Sequence, residues 1–360
     1  MNDTFEHFLD VQIIECDDFV SVLPSLVLTG NILLITSKGF TTRGLVEKVV
    51  DKCGVSRVSV FDNVTPNPEK SFLQTNITQF TQNKIEHVIA LGGGSAIDAA
   101  KVFCALLSHP DTLLDDLLLS DEVENEVNLI AIPTTSGTGS EVTPFATVWQ
   151  SDIAKKHSLY GIRPNVALLD PSLTLSLPPE DTLYPALDAL SHALESLWNN
   201  NRTDASQTYA LAAIQLISDN LNLILDNPRH LDARKNLQIA ATLAGLAISI
   251  TKTAIAHAIS YPLTLQYEIP HGLACSFSLS AILNIVGNEK LNLPVSLADR
   301  VVRLLDSLNL EKEISRYVEL GTLRNNFVNE LEPSRAGNFI GEVNAQLVKK
   351  ILFLATDNKR

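Results

Sequence analysis

Apolar residues in the first half of the chain come in short runs: ILLIT (32–36), VSVFD (58–62), HVIALGGG (87–94), NLIAIPTT (128–135) and VALLD (166–170). Stretches with helical spacing separate them. Runs of this length, rich in β-branched residues and bounded by turn residues, read as strands, and strands alternating with helices build a parallel sheet. The turn chemistry agrees, with TPNPEK after the second run and glycines after the third. Beyond LSLPPED (175–181) the grammar changes to long apolar-periodic segments near 182–199, 203–225, 232–250, 271–288, 294–308 and 343–355. These predict helices and no strand. The expected organisation is an α/β domain over 1–175 and an all-helical domain over 176–360, joined by the Pro-rich linker.

A chain of 360 residues is long enough for two such domains, each with its own core. With 45% hydrophobic and 19% charged residues it is a folded protein, not a disordered one. A net charge of −14 excludes a basic nucleic-acid face, so an anionic ligand has to be held by local donors. The start, MNDTFEHFLD, is acidic where a secretory signal is basic, and the longest apolar segment, Ile239 to Ile250, is too short for a membrane span. Cys16, Cys53, Cys104 and Cys275 lie far apart without CxxC spacing, as expected of reduced thiols in the cytoplasm.

Two loops carry candidate chemistry in the first half. In IALGGGSAIDAAK a buried strand runs into three glycines, and Ser95 with Asp98 has the spacing of an N-cap and an acidic third helical residue. Glycines there let backbone amides approach a phosphate at the positive end of a helix, although glycine turns before helices are also common. The second loop, IPTTSGTGSEVTPFA (132–146), is rich in hydroxyls and follows another buried strand, where α/β proteins bind ligands.

In the helical half, ALDALSHALES places Asp188 and His192 four apart, on one helix face. Such a pair can chelate a cation or simply be a surface pair, but its setting is apolar, and a buried carboxylate needs a partner. His257 and His271 flank Tyr261 in AHAISYPLTLQYEIPHG. Each could be a satisfied core histidine. Together with Asp188 and His192 they form a coherent N3O donor set for a divalent Fe or Zn. His7, His87, His109, His157 and His230 stand in polar or irregular contexts.

GGGSAID with Lys101, PTTSGTGSEVTPFA, LLDPSLTLSLPP, DALSHALES and HAISYPLTLQYEIPHG occur in one order over nearly the whole chain. Their sequence and spacing resemble the iron-containing (group III) alcohol dehydrogenase family. The resemblance implies a Rossmann-like, dinucleotide-binding N-terminal domain, an all-helical C-terminal domain, a dehydroquinate synthase-like architecture and NAD or NADP as cofactor. It implies one divalent metal, Fe2+ or alternatively Zn2+, on Asp188, His192, His257 and His271. It implies a phosphate turn at Gly93, Gly94 and Ser95 with Asp98 nearby. Thr134, Thr135, Thr138 and Ser140 would line pyrophosphate and nicotinamide, Asn67 would lie beside the adenosine, and Lys156 near the ribose. With all four ligand positions filled, the metal-free branches that reduce maleylacetate are disfavoured. Homo-oligomers, dimers or larger, are implied as well.

Two departures from the family pattern bear on specificity. Tyr261 stands where many members have a further histidine near the nicotinamide, and Ser37, beside Lys38 and Arg43, stands where others have an aspartate that repels the 2′-phosphate of NADP. The run ITKTAIAHAISYPLTLQYEIPHG looks most like the phosphonoacetaldehyde reductase branch, which interconverts phosphonoacetaldehyde and 2-hydroxyethylphosphonate. Lys252 is the candidate cation for such a substrate and Tyr261 the candidate proton donor. A general short-chain aldehyde, alcohol or polyol dehydrogenase would share the framework. A non-catalytic metal- or nucleotide-binding protein would keep the motifs without turnover.

Overall fold

The structure, a computed structural model, describes residues 11–153, 155–326, 331 and 333–357. His7 and the acidic N-terminal decapeptide therefore lie outside the described residues. Six strands form one wholly parallel sheet: β1 (Gln12–Glu15), β2 (Asn31–Ile35), β3 (Val58–Phe61), β4 (Ile85–Gly92), β5 (Asn128–Pro133) and β8 (Val166–Leu169), in the order β1-β8-β5-β4-β2-β3. The three central strands bury both faces. Leu33, Ile35, Val88, Ala90, Leu129 and Ala131 pack into one core; Ile32, Leu34, Ile89, Leu91, Ile130 and Ile132 pack into the other. This is why they read as unbroken apolar runs rather than alternating ones.

The helix after β2, Leu45–Cys53, feeds the second core, whereas the helix after β4, Gly94–Ser108, feeds the first. The chain thus leaves two neighbouring strands toward opposite faces. Such a switch point, at the carboxyl ends of the strands, is the usual ligand position in an open α/β sheet. Thr36 Oγ1 donates to the Leu91 carbonyl at 2.6 Å and pins the two strand ends together.

Three strands were not foreseen. β1 is the short outer strand, and β6 (Phe145–Gln150) with β7 (Lys155–Tyr160) forms an antiparallel hairpin after the hydroxyl-rich loop. The helical half has the expected character: Pro179–Leu197, Asp204–Asp226, Leu231–Thr251, Val295–Leu308 and Ala345–Thr356 match foreseen segments. The segment at 271–288 is two helices, His271–Ser276 and Leu279–Val286, and the helix Ile255–Tyr267 was not foreseen.

The chain divides into two compact units, Met1–Thr135 with Ser140–Thr174, and Ser136–Gly139 with Leu175–Arg360. The short segment Ser136–Gly139 belongs with the helices because it presses on them. A Cβ on Gly137 would meet Pro185 Cβ at 2.5 Å, and one on Gly139 would meet Gly245 Cα at 2.4 Å. Among the described residues no single helix is long and apolar enough to cross a membrane. Leu231–Thr251 and Ile255–Tyr267 pass such a test only as a pair bent by 105°.

Candidate metal centre and cofactor site

One buried helix, Pro179–Leu197, carries Asp188, His192 and Glu195. Positions i, i+4 and i+7 share a face, so two donors and a further carboxylate project together. The Leu231–Thr251 helix then ends at Lys252, whose φ of +61° is left-handed. Asn199 Nδ2 and Thr251 Oγ1 both donate to the Lys252 carbonyl at 3.0 Å and hold this turn. The chain re-enters a helix at Ile255 in a new direction, which brings His257 onto Asp188. His271 arrives at the first position of the next helix, where Gly272 is required: a Cβ there would lie 1.9 Å from the Tyr184 carbonyl oxygen.

The four ligands predicted from sequence converge. His257 Nε2 lies 3.4 Å, His192 Nε2 3.5 Å and His271 Nε2 3.8 Å from Asp188 Oδ1. Donors about 2.1 Å from one tetrahedral ion stand roughly 3.4 Å apart, so these separations fit a divalent metal. His257 Nε2 is buried and makes no hydrogen bond. Its other nitrogen, Nδ1, lies 2.5 Å from Glu195 Oε2, while Glu195 Oε1 accepts from the backbone N–H groups of Ala256 (2.6 Å) and His257 (3.1 Å). With the proton on Nδ1, the Nε2 lone pair points into the cluster, as in a carboxylate–histidine–metal triad. Asp188, His192 and His257 are buried, whereas the His271 side chain is 34% exposed, so the cluster opens on its side.

Electrostatics follow from this packing. Burial raises the Asp188 carboxyl, but the three imidazoles outweigh it and hold the group well below the usual carboxylate range. Burial pushes His192 down to about 4, which keeps its ring neutral and able to ligate. For His257 burial acts downward, yet Glu195 and Asp188 raise it overall. Cys275 is a neighbour that sequence reasoning missed: its Sγ lies 3.6 Å from Asp188 Oδ1, and Asp188, His257, His271 and Cys275 offer donor atoms within 4.8 Å of one another. Burial and the Asp188 charge raise this thiol far above its ordinary value, so it stays a neutral donor to the Asp188 and Gly272 oxygens.

Glu195 was also missed, although DALSHALES shows it on the metal face of the helix. Arg335 was missed too. Its guanidinium lies 4.4 Å from the Tyr261 ring centroid, and the Tyr261 ring is 6.4 Å from that of His271. Lys252, in contrast, is exposed beyond its helix end. The histidines set aside have local roles or partners: His230 Nδ1 caps a helix, and His87, His109 and His157 pair with Thr29, Glu124 and Gln150 oxygens.

In the α/β unit the glycine turn differs from expectation. Gly93, not Ser95, is the N-cap, and the helix starts at Gly94 without a side-chain cap. Ser95 Oγ instead accepts from the Asn67 N–H at 3.3 Å, and Asn67 is left-handed at φ +57°. Asp98 is turned inward: it accepts from Ser140 Oγ at 2.6 Å and from the Thr147 N–H at 2.9 Å. The capping reading fails because the helix already starts at Gly94, which places Asp98 beyond its first turn, where its carboxylate is taken by Ser140 and Thr147. Lys101 Nζ donates to Ser140 Oγ (2.9 Å), Thr143 O (2.8 Å) and Phe145 O (2.7 Å). Asp98 and Lys101 thus bolt the unforeseen hairpin and the hydroxyl-rich loop to the phosphate-turn helix.

The remaining predicted cofactor residues cluster in part. Thr134 N–H donates to the Gly92 carbonyl at 3.1 Å, and Thr135 Oγ1 lies 3.1 Å from where a Gly93 Cβ would sit, so Gly93 keeps the turn close to this loop. Trp149 of the hairpin donates its N–H to Pro68 at 2.9 Å, and Lys156 lies over its ring at 5.2 Å, beside the Asn67 loop. Ser37 stands at the N-cap position of the short helix Lys38–Thr42 without a side-chain capping bond. Thr138 falls in the segment that belongs to the helical unit.

Residues 13–171 match the family described as iron-containing alcohol dehydrogenase, and residues 182–317 match the Fe-containing alcohol dehydrogenase family, C-terminal. The 1-propanol dehydrogenase PduQ of Citrobacter freundii is 34% identical over 261 residues, 71% of this chain and 67% of that protein. The match to aldehyde-alcohol dehydrogenase 2 of Entamoeba histolytica is 28% identical over 321 residues; it covers 84% of this chain but only 36% of that longer protein. Among solved structures, sulfoacetaldehyde reductase from Bifidobacterium kashiwanohense in complex with NAD+ superposes with a TM-score of 0.84 at 25% identity, over 98% of both chains. The chain belongs to the iron-containing alcohol dehydrogenase family.

Proposed function

We propose that the protein is a metal-dependent, NAD(P)-linked aldehyde reductase and alcohol dehydrogenase, acting on phosphonoacetaldehyde to give 2-hydroxyethylphosphonate. The observation that carries the reading is the convergence of three imidazole nitrogens on Asp188 Oδ1 at 3.4–3.8 Å. A divalent ion, Fe2+ or Zn2+, bound there supplies Lewis-acid polarisation of a carbonyl oxygen, and the reduced nicotinamide supplies hydride. Asp188, His192, His257 and His271 hold that ion, and Glu195 fixes the His257 tautomer. Gly93, Gly94, Ser95 and Asn67 receive the pyrophosphate and adenosine side of the cofactor. Thr134, Thr135, Thr138, Ser140 and Lys156 line its remainder, with Asp98 behind them. Ser37 in place of an acid leaves room for a 2′-phosphate, so both NADH and NADPH are admitted. Tyr261 donates the proton to the product oxygen from its phenol.

A second reading is a short-chain alcohol dehydrogenase without preference for an anion, and the similarity to a 1-propanol dehydrogenase favours it. Steady-state rates with phosphonoacetaldehyde, propanal and butanal, each with NADH and NADPH, separate the two. The proposal expects phosphonoacetaldehyde to have the highest kcat/KM with at least one cofactor. Equal or better use of propanal would favour the second reading, and no oxidation of either cofactor with any aldehyde would defeat both.

A further inference from the structure

We infer that Cys275 is a further ligand of the metal held by Asp188 and the histidines, and that its sulfur makes the site select Zn2+ over harder divalent ions. The inference rests on the metal-dependent function proposed above. His271 and Cys275 are four apart on the helix His271–Ser276, as Asp188 and His192 are on Pro179–Leu197, so each helix presents two donors from one face. The close approach at Gly272, which leaves no room for a Cβ beside the Tyr184 carbonyl, brings the two helices together. The His271 side chain is partly exposed, whereas Cys275, one turn further along, is fully buried.

Cys275 Sγ lies 3.6 Å from Asp188 Oδ1, the atom on which the imidazoles converge. A sulfur about 2.3 Å and an oxygen about 2.1 Å from one tetrahedral ion stand roughly 3.6 Å apart. The donors of Asp188, His257, His271 and Cys275 all lie within 4.8 Å of one another, and the buried His257 Nε2 has no hydrogen-bond partner among the described residues. A weak S–H donor to Asp188 accounts for the place of the sulfur but leaves that nitrogen orphaned. A cation shared by both accounts for the two together. Without an ion the thiol keeps its proton and donates to the Asp188 and Gly272 oxygens. On binding, a metal–sulfur bond forms, one water leaves the incoming ion, and the S–H proton passes to solvent, with nothing oxidised or reduced. A thiolate favours Zn2+ and other thiophilic ions, whereas carboxylate and water suit Mn2+ and Mg2+.

The test uses chelator-stripped full-length protein, as wild type, Cys275→Ser and Cys275→Ala, titrated with Co2+ and, against a chromophoric chelator, with Zn2+ and Mn2+. The wild-type Co2+ complex should show the intense near-ultraviolet charge-transfer band of a cobalt–sulfur bond, and both variants should bind Co2+ without it. Zn2+ affinity should fall about 30-fold or more in Cys275→Ser while Mn2+ affinity stays within about 3-fold, because only the softer ion gains from sulfur. Zn2+ binding should also release about one proton more from wild type than from Cys275→Ser. Serine keeps a donor for the Asp188 and Gly272 oxygens, so an unchanged Zn2+ affinity in Cys275→Ser would mean a hydrogen-bonding role only and overturns the assignment. A wild-type Co2+ complex without the band, a band that survives in Cys275→Ser, or an equal loss for Zn2+ and Mn2+ overturns it as well, and leaves the metal site standing. A wild type that binds none of the three ions overturns the metal site itself and the function built on it. Melting curves check that the variants fold, and the wild-type spectrum with Cys275→Ala keeps the test decisive if Cys275→Ser does not.

Discussion

Glu195 Oε2 lies 2.5 Å from His257 Nδ1, and its other oxygen accepts from the backbone N–H groups of Ala256 and of His257 itself. A fully buried carboxylate is costly unless it is paired, and here burial is outweighed by His257 and those backbone donors, so the carboxyl sits below its ordinary value. Glu195 therefore acts as a positioning residue: it fixes which imidazole nitrogen is available. Glu195→Gln keeps the shape and removes the charge. Metal affinity should fall by about 10- to 100-fold, the range found when such supporting partners are changed. Competition with a chromophoric chelator measures it, and unchanged affinity would remove Glu195 from the site.

Tyr261 stands between the metal cluster and Arg335. Tyr261→Phe keeps the ring under the guanidinium and deletes only the hydroxyl, so substrate KM should hold while kcat drops by about 100-fold or more, as for loss of a general acid. Steady-state kinetics across pH checks this. Unchanged turnover and pH dependence would leave Tyr261 a wall of the pocket and nothing more.

Lys101 and Asp98 join the phosphate-turn helix to the hairpin, and Lys101→Met removes the donor that Ser140 Oγ and the carbonyls of Thr143 and Phe145 share. Leaving a buried acceptor unpaired costs about 1–3 kcal/mol, so the variant should melt well below wild type. The pH dependence follows from burial, which lowers the Lys101 ammonium from 10.5 to about 8. Between those values the unfolded chain binds more protons than the folded one, so this group's contribution to stability rises with pH through that window. The melting difference between wild type and Lys101→Met should therefore widen from about pH 8 upward. A difference that is flat or narrowing with pH, followed by calorimetry, would contradict this reading of the pair.

Much of this molecule was legible in its sequence where burial is symmetric or spacing is strict. The central strands read clearly because both of their faces are covered, whereas β1, four residues at the sheet edge, carries too little pattern. The β6–β7 hairpin was hidden because KKHSLY (155–160) is polar on its outer side and its partner follows a loop read only for ligand chemistry. The helix carrying His257 contains Pro262 and begins after a left-handed lysine, both signals against a helix. The converging residues Asp188, His192, His257 and His271 were named from spacing and resemblance together. Glu195 was not, because it acquires meaning only from His257, far away in sequence. Asp98 was misread for the same reason: its partners, Ser140 Oγ and the Thr147 N–H, lie far along the chain.

The central claim is that Asp188, His192, His257 and His271 hold a catalytic divalent metal. The direct test is to strip the protein with a chelator, confirm the loss by elemental analysis, and titrate Fe2+ or Zn2+ back while following aldehyde-dependent NAD(P)H oxidation, in wild type and in Asp188→Ala. The expected result is loss of activity on removal, recovery that saturates at about one metal per chain, and neither tight binding nor recovery in Asp188→Ala. Activity that survives complete metal removal, or an Asp188→Ala protein that binds metal as tightly as wild type, would contradict it.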